Sequence, residues 1–448
     1  MLRDAFREAF HAAHWPIPKT LRREVERFLL CGDVRYGFVE VRCNECSESR
    51  LVAFSCKSRG LCPSCSTRAA IETAENLTEV LPYVSHRQWT LSIPYALRFS
   101  VVKRPGILKR MEGRLVRAIW RWQRLEARRL GFKTQDVTGG AVCFWQWFGS
   151  SLQLTPHLHV LVPEAQWRKG DAAPIGLPAP SDDDVVGILK RVLTLTAKDL
   201  ADMEMAMPET EYEESQCQHS QERLPLAVGH NFRKRRTASF NGFSLHADTA
   251  VHANDRDGLK RLCRYGARGP VSDCRLTRLE DGRYQYVPKG KEGVLLVLSA
   301  EELVRRLLVL VPPPKRHLTS FHGAYAPNSS LREALIPRAV EASIEAEGPV
   351  GPLVRGPSVV TVGAPAEAVK GRRRLPKPPR LDWQTLHRRT FGHDVLQCPC
   401  GGRRTIRALH STPNAAQRRL KQLGLRILPS GRALPDKTAP PRQTSLAF

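Results

Sequence analysis

The chain has 448 residues, 42% apolar and 25% charged, enough for about two to four domains with at least one sizeable core. No unbroken apolar run nears the roughly 18 residues that span a bilayer, and Met1-Leu2-Arg3-Asp4-Ala5-Phe6 lacks the apolar region of a signal peptide. A cytoplasmic protein with reduced thiols and no membrane partner is therefore expected. Seventy Lys and Arg against 44 Asp and Glu give a formal charge of +26, which favours a polyanionic partner, nucleic acid first.

Residues 1–30 read as helical, with Leu21, Val25, Phe28 and Leu29 on one face. A cysteine block follows. Cys43-x-x-Cys46, fifteen residues, then Cys62-x-x-Cys65 is the paired-knuckle spacing of a four-cysteine zinc ribbon over residues 31–70. Cys31 and Cys56 fall in the same block and are possible further ligands. Arg87–Ile93 reads as a strand ended by Pro94. Residues 101–130 form a basic amphipathic helix: Leu108, Met111, Leu115, Ile119 and Trp122 recur at helical spacing, while Arg114, Arg117 and Arg121 supply a face that could track a sugar-phosphate backbone.

Ala141–Phe148 reads as a strand, and a turn at Gly149-Ser150-Ser151 would pair it antiparallel with Leu152–Val162. The second strand holds His157-Leu158-His159. Alternate residues of a strand share a face, so the two imidazoles project side by side and can chelate one metal ion. In a suitable register Gln146 would approach them and offer an oxygen as third ligand.

Residues 184–200 read as a helix, and Asp202–Glu222 as an acidic insertion. The next chemically informative element runs from Asn254 to Pro270. Asn254 or Asp255 can cap a helix that Gly269-Pro270 ends, and Arg261, Tyr265 and Arg268 then share one face, a phenolic oxygen between two guanidinium groups. A hairpin over Cys274–Val287, a strand at Val294–Leu298 and a helix at Ala300–Leu310 are predicted next, then a basic Pro/Gly-rich linker over 331–380. A small carboxy-terminal module, 381–412, contains Cys398-Pro399-Cys400. Two cysteines cannot close a zinc site alone, and His393 and His410 are candidate partners. Residues 413–448 are expected to be mostly without structure.

In this order, the motifs resemble the rolling-circle insertion-sequence transposases of the insertion-sequence ninety-one type, members of the HUH endonuclease superfamily with an N-terminal transposase zinc-binding domain. The pieces that carry the resemblance include Gly60-Leu61-Cys62-Pro63-Ser64-Cys65, Pro156-His157-Leu158-His159-Val160-Leu161-Val162, Leu262-Cys263-Arg264-Tyr265 and Phe321-His322-Gly323-Ala324-Tyr325-Ala326-Pro327-Asn328. The resemblance implies an α+β fold, an antiparallel-sheet HUH core over 71–330 flanked by helices and preceded by the ribbon. It implies a transposase, a single-strand DNA endonuclease and strand transferase, in which Tyr265 is the nucleophile and His157 and His159 hold Mg2+ or Mn2+, beside structural Zn2+. The partner would be single-stranded or hairpin DNA at element ends, the location nucleoid-associated, with no nucleotide cofactor. Some relatives carry two tyrosines four residues apart; Arg261 occupies the earlier position here, which places the chain with the single-tyrosine branch. The alternatives are a plasmid replication initiator or relaxase of the same chemistry, a phosphodiesterase that activates water, and a non-catalytic zinc-ribbon regulator.

Overall fold

The computed structural model describes residues 1–10, 16–58, 60–168, 170–204, 235–290, 294–313, 316–336, 381–428, 433–435 and 444–446. Most of the acidic stretch and most of the linker lie outside these residues. Among the described residues no helix is long and apolar enough to cross a membrane.

The amino-terminal part comprises helices α1 (Leu2–Phe10) and α2 (Lys19–Leu29), the antiparallel pair β1 (Phe38–Cys43) and β2 (Ser49–Ala53), and helix α3 (Pro63–Val80). Cys62 is the N-cap of α3 and Pro63 opens it, where its missing N–H costs nothing. The boundary expected at residue 70 therefore falls inside a helix that continues into the next domain.

That domain is built on six antiparallel strands, β3 (His86–Ser92), β5 (Gly140–Phe148), β6 (Leu154–Pro163), β9 (Thr237–Phe240), β10 (Phe243–Val251) and β14 (Thr319–Gly323), in the order β14-β5-β6-β3-β10-β9. The short strands β4 (Val137–Thr138), β7 (Ala165–Arg168) and β8 (Pro174–Gly176) make a side sheet. Because β5 and β6 are central, both faces of their alternating residues are covered. On one face Cys143, Trp145, Leu158 and Val160 pack against α4 (Arg98–Lys103), α5 (Pro105–Arg129) and α6 (Asp182–Glu204). On the other, Val142, Phe144 and Leu161 pack against α3 and α7 (Arg256–Ala267). The fold is thus α+β, as expected, with its largest sheet sandwiched between two helical layers.

A third unit joins β11 (Leu276–Arg278), β12 (Tyr284–Tyr286) and β13 (Leu296–Leu298) to helix α8 (Ala300–Val309), which starts with a Ser299/Glu302 capping box. Its apolar side packs on α1, α2 and the chain around Leu61 and Cys62. A single turn, α9 (Arg332–Leu335), closes the domain. Helix α10 (Trp383–Phe391), strand β15 (Arg404–His410), helix α11 (Pro413–Gln422) and strands β16 (Leu425–Ile427), β17 (Ala433–Pro435) and β18 (Thr444–Leu446) follow. Residues 413–422 are therefore helical, contrary to expectation: Thr412 accepts from the Ala415 N–H as N-cap, and Ala416 and Leu420 bury against Phe38 and Leu51. Strand β15 adds antiparallel to β1, so the carboxy-terminal module belongs to the sheet of the amino-terminal ribbon.

One buried pair ties the large sheet to the segment after β14. His86 Nδ1 donates to the Val84 carbonyl at 2.8 Å, leaving Nε2 to accept from the Tyr325 hydroxyl at 3.0 Å. Burial lowers the His86 imidazole to about 4. The unfolded chain titrates near 6.5, so His86 contributes stability that is intact above that pH and lost as the pH falls toward 4, at most about 3 kcal/mol. Urea unfolding midpoints should drop across this window, and less steeply for His86→Asn; an equal slope in the variant would assign the loss to other groups.

Candidate active site

Strand register decides which side chains meet. Gln146 of β5 lies opposite His157 of β6, Phe144 opposite His159, and Thr90 of β3 on the other side of His159. Gln146, His157, His159 and Thr90 consequently occupy one face of the sheet. Beyond Gln146 the register shifts, a local irregularity next to the site where the strand turns toward Phe148.

Helix α7 crosses this face. Asp255 caps it, accepting from the Gly258 N–H at 2.7 Å. It approaches closely because Gly266 has no side chain: a Cβ there would sit 2.8 Å from the Phe144 ring. A second bare position, Gly269, lets the end of the helix meet α3, since a Cβ would fall 2.6 Å from Ser66 Cβ, one residue after Cys65. The final carbonyls of a helix lack intrahelical donors, and Gln146 supplies them: its Nε2 donates to the carbonyls of Tyr265 (2.6 Å) and Gly266 (3.0 Å).

These bonds fix the Gln146 amide, so its Oε1 must face His157 Nε2, at 3.1 Å. His157 Nδ1 is committed as donor to the Thr155 carbonyl, at 2.7 Å. A neutral His157 therefore turns a nitrogen lone pair toward an oxygen lone pair. The imidazolium form would relieve that clash, but burial, with the Arg268 and Arg98 charges, lowers the His157 pKa. His159 meets Thr90 Oγ1 through Nδ1 at 3.1 Å, while its Nε2 is buried without a hydrogen-bond partner. Burial first, then the neighbouring His157 and Arg268, pushes this ring down to about 3, so it too is neutral. In the tautomer whose Nδ1–H donates to Thr90 Oγ1, His159 Nε2 holds a free electron pair on the same face as His157 Nε2 and Gln146 Oε1, two imidazole nitrogens and an amide oxygen. This donor set fits a small divalent cation.

Tyr265 stands over the pair. Its ring centroid lies 5.5 Å from that of His159, edge to face, and the two histidine rings are 4.8 Å apart. The Arg268 guanidinium sits 4.3 Å above the tyrosine ring and donates from Nη2 to its hydroxyl at 3.4 Å. The tyrosine is 36% exposed and opens into a cavity of about 340 Å3 that Arg261, Arg264, Arg268, Arg275 and Lys289 line. Arg264, Arg275 and Lys289 were not singled out from sequence: Arg264 lies off the Tyr265 face of an ideal helical wheel, and the other two arrive from the β11–β13 unit. An adjoining cavity of about 540 Å3 shares Arg268 and Phe148 and carries Trp145, Trp147 and Trp383 on its walls. The Nε atom of Arg268 is buried there with no partner.

The remaining expected residues are placed differently. Arg261 lines the first cavity but is 73% exposed and pairs with Asp255 at 3.6 Å. Arg114, Arg117 and Arg121 do not join the site, because α5 covers the opposite face of the sheet. Arg114 is ion-paired with Asp199 of α6, which also holds Arg110 at 2.7 Å. Arg117 and Arg121 are exposed on that far side.

The cysteines also divide otherwise than their spacing suggests. Cys43, Cys46, Cys62 and Cys65 do not form one site. Cys62 and Cys65 gather with Cys31 and Cys56, and Cys43 and Cys46 with Cys398 and Cys400, each set having its sulfurs within 4.8 Å of one another. In the first set Cys31 follows α2, Cys56 follows β2, and the other two begin α3, so the thiols of three elements converge. His393 and His410 are in neither group.

Residues 2–93 match the family model "Transposase zinc-binding domain" and residues 140–332 match the model "Putative transposase". The chain belongs to the insertion-sequence ninety-one transposases. No curated protein and no solved structure matches it. The transposase is accordingly a DNA-processing protein with a zinc-binding domain, and the second matched segment contains Gln146, His157, His159, Tyr265 and Arg268 together.

Proposed function

We propose that this transposase nicks and rejoins single-stranded DNA through a 5′-phosphotyrosine on Tyr265, with a divalent cation held by His157, His159 and Gln146, in rolling-circle transposition. The observation that carries the reading is the confrontation of His157 Nε2 with Gln146 Oε1 beside the partnerless His159 Nε2, directly beneath the exposed tyrosine. A bound Mg2+ or Mn2+ would satisfy all three donors and polarise a phosphate oxygen.

The chain's own groups perform the rest. The Tyr265 oxygen attacks phosphorus; its O–H proton is released to solvent through the open cavity, the P–O3′ bond breaks, and the leaving 3′ oxygen takes up a proton. One phosphodiester replaces another, so the bond is conserved and the reverse attack by a 3′-hydroxyl rejoins a strand without ATP. Tyrosine is a weak nucleophile near neutral pH; Arg268, which donates to its hydroxyl, is placed to hold that oxygen and to meet the charge of the phosphate it attacks. The two cavities, cationic with aromatic walls, suit an unpaired strand that binds by phosphate contacts and base stacking. Duplex DNA offers its bases no such access.

The test is to incubate the protein with Mn2+ and labelled single-stranded element ends, then denature. A protein–DNA adduct is expected; cleavage without an adduct would instead identify activated water as the nucleophile. Gln146→Leu should lower the rate about ten- to a hundredfold, since it removes one metal ligand and the donor to two helix-end carbonyls. Unchanged cleavage and Mn2+ affinity in that variant would remove Gln146 from the site.

A further inference from the structure

We propose that Cys43, Cys46, Cys398 and Cys400 hold a second Zn2+, separate from that of Cys31, Cys56, Cys62 and Cys65, and that it fastens the carboxy-terminal module to the amino-terminal ribbon. The pairs are 352 residues apart in sequence from Cys46 to Cys398, yet their sulfurs meet: Cys43 and Cys400 at 3.6 Å, Cys46 and Cys398 at 3.6 Å. These separations are far beyond the ~2.05 Å of a disulfide and suit the edges of a thiolate tetrahedron.

The surroundings are shaped for a metal. Each pair sits on a tight turn: Cys43 N–H donates to Glu48 O at 2.8 Å around Ser47, and Cys398 N–H to Gly402 O at 3.0 Å around Gly401, with Ser47 and Gly401 both left-handed. A Cβ on Gly402 would lie 2.6 Å from Glu45 Cγ and 2.9 Å from Cys43 Sγ, so the two turns meet this closely around a glycine. Four thiolates on one Zn2+ leave net negative charge, and the Glu48 carboxylate lies 3.1 Å from Cys398 Sγ; two cations offset these, the fully buried Arg404, bonded to the carbonyls of Val395 (3.2 Å) and Gln397 (2.6 Å) and to Glu48 (2.9 Å), and Arg50 beside it.

The module needs such a fastening. Beyond the β1–β15 ladder and the ion pairs Glu40–Arg419 and Glu48–Arg404, its contacts with the ribbon are two small apolar groups, one around Val34, Phe38 and Leu420 and one around Val41, Val52 and Val395, and most β15 side chains are not buried. Cores of that size do not hold a unit in place alone. The fastening also reaches the DNA cavity, because Trp383 and Leu386 of α10 form part of the wall of the 540 Å3 space beside Arg268, and Arg389 pairs with Glu75 of α3.

Metal analysis of the full chain, purified without chelator, tests this independently of the strand-transfer chemistry. Two zinc ions per chain are expected, and one for the Cys398→Ser, Cys400→Ser double variant. One zinc in the wild type, or two in the variant, would overturn the proposal. A second measurement needs no variant. Cys400 is exposed, so as a free thiol it would react at once with an alkylating reagent. In the zinc-loaded protein Cys398 and Cys400 should resist alkylation, as mapped by mass spectrometry, and become reactive after chelation; prompt modification of Cys400 in the native protein refutes the site.

Discussion

Tyr265→Phe is expected to abolish the covalent protein–DNA adduct and all strand rejoining while leaving the fold, the zinc content and single-strand binding intact. The side chain's structural contacts are made by its ring: Arg268 stacks on one side at 4.3 Å and His159 meets it edge-on at 5.5 Å. Phenylalanine keeps both. The hydroxyl itself receives one long hydrogen bond, from Arg268, so its loss should alter stability by no more than about 0.5 kcal/mol. What disappears is the attacking oxygen. Other tyrosines cannot substitute: Tyr325 is buried and bonded to His86, and Tyr286, which lines the same cavity, is also buried. Adduct formation should fall below detection, at least about a thousandfold, because among the described residues no other exposed tyrosine lines the cavity. The check is a denaturing gel of protein, Mn2+ and labelled single strand, with equal binding confirmed by fluorescence anisotropy. An adduct of unchanged yield would move the nucleophile elsewhere and leave the tyrosine a DNA contact.

The part of this site that short-range rules govern was legible in the chain. Alternation puts His157 and His159 on one face, and the expected hairpin puts Gln146 on the neighbouring strand; a turn centred on Ser150 would set Gln146 opposite Leu154, and the pairing with His157 comes from a loop that closes at Gly149 and Gln153 together with the register shift after Gln146. The Asp255 cap and the Gly269-Pro270 stop bracket the tyrosine helix within two residues. Side-chain commitments that depend on tertiary neighbours were not legible. Arg114 has the spacing of a DNA contact, but the acid that neutralises it, Asp199, arrives 85 residues later on a helix packed alongside. The cysteines illustrate the same limit. Spacing says which thiols share a turn, and both Cys-x-x-Cys turns are real; it does not say which turns share a metal. One signal was present in the count: six thiols in the amino-terminal block plus Cys398 and Cys400 make eight, the number two tetrahedral sites require.

The largest effect on stability is expected from Cys62→Ser. Serine removes one of four sulfurs from the Cys31/Cys56/Cys62/Cys65 set, and the three left no longer close a structural tetrahedron. Cys62 and Cys65 also belong to the apolar cluster that joins Phe6 of α1, Phe28 of α2 and Leu303 of α8, so losing the metal unpins three helices from one another. Loss of a structural metal belongs with the few single changes that cost more than about 4 kcal/mol, and the melting temperature should fall by roughly 10 °C or more. The damage should not remain local. Cys62 stands at the N-cap position of α3 without a side-chain capping bond, so the metal is what holds that end; Ser66 in the first turn is the surface on which Gly269 rests, and a loosened α3 releases the end of the tyrosine helix. Zinc content should drop by one ion, and adduct formation should fall even at temperatures where the large sheet remains folded. Calorimetry beside metal analysis distinguishes the outcomes: a variant that retains its full zinc and melts within about 2 °C of the wild type would show that these thiols fill space and hold no metal.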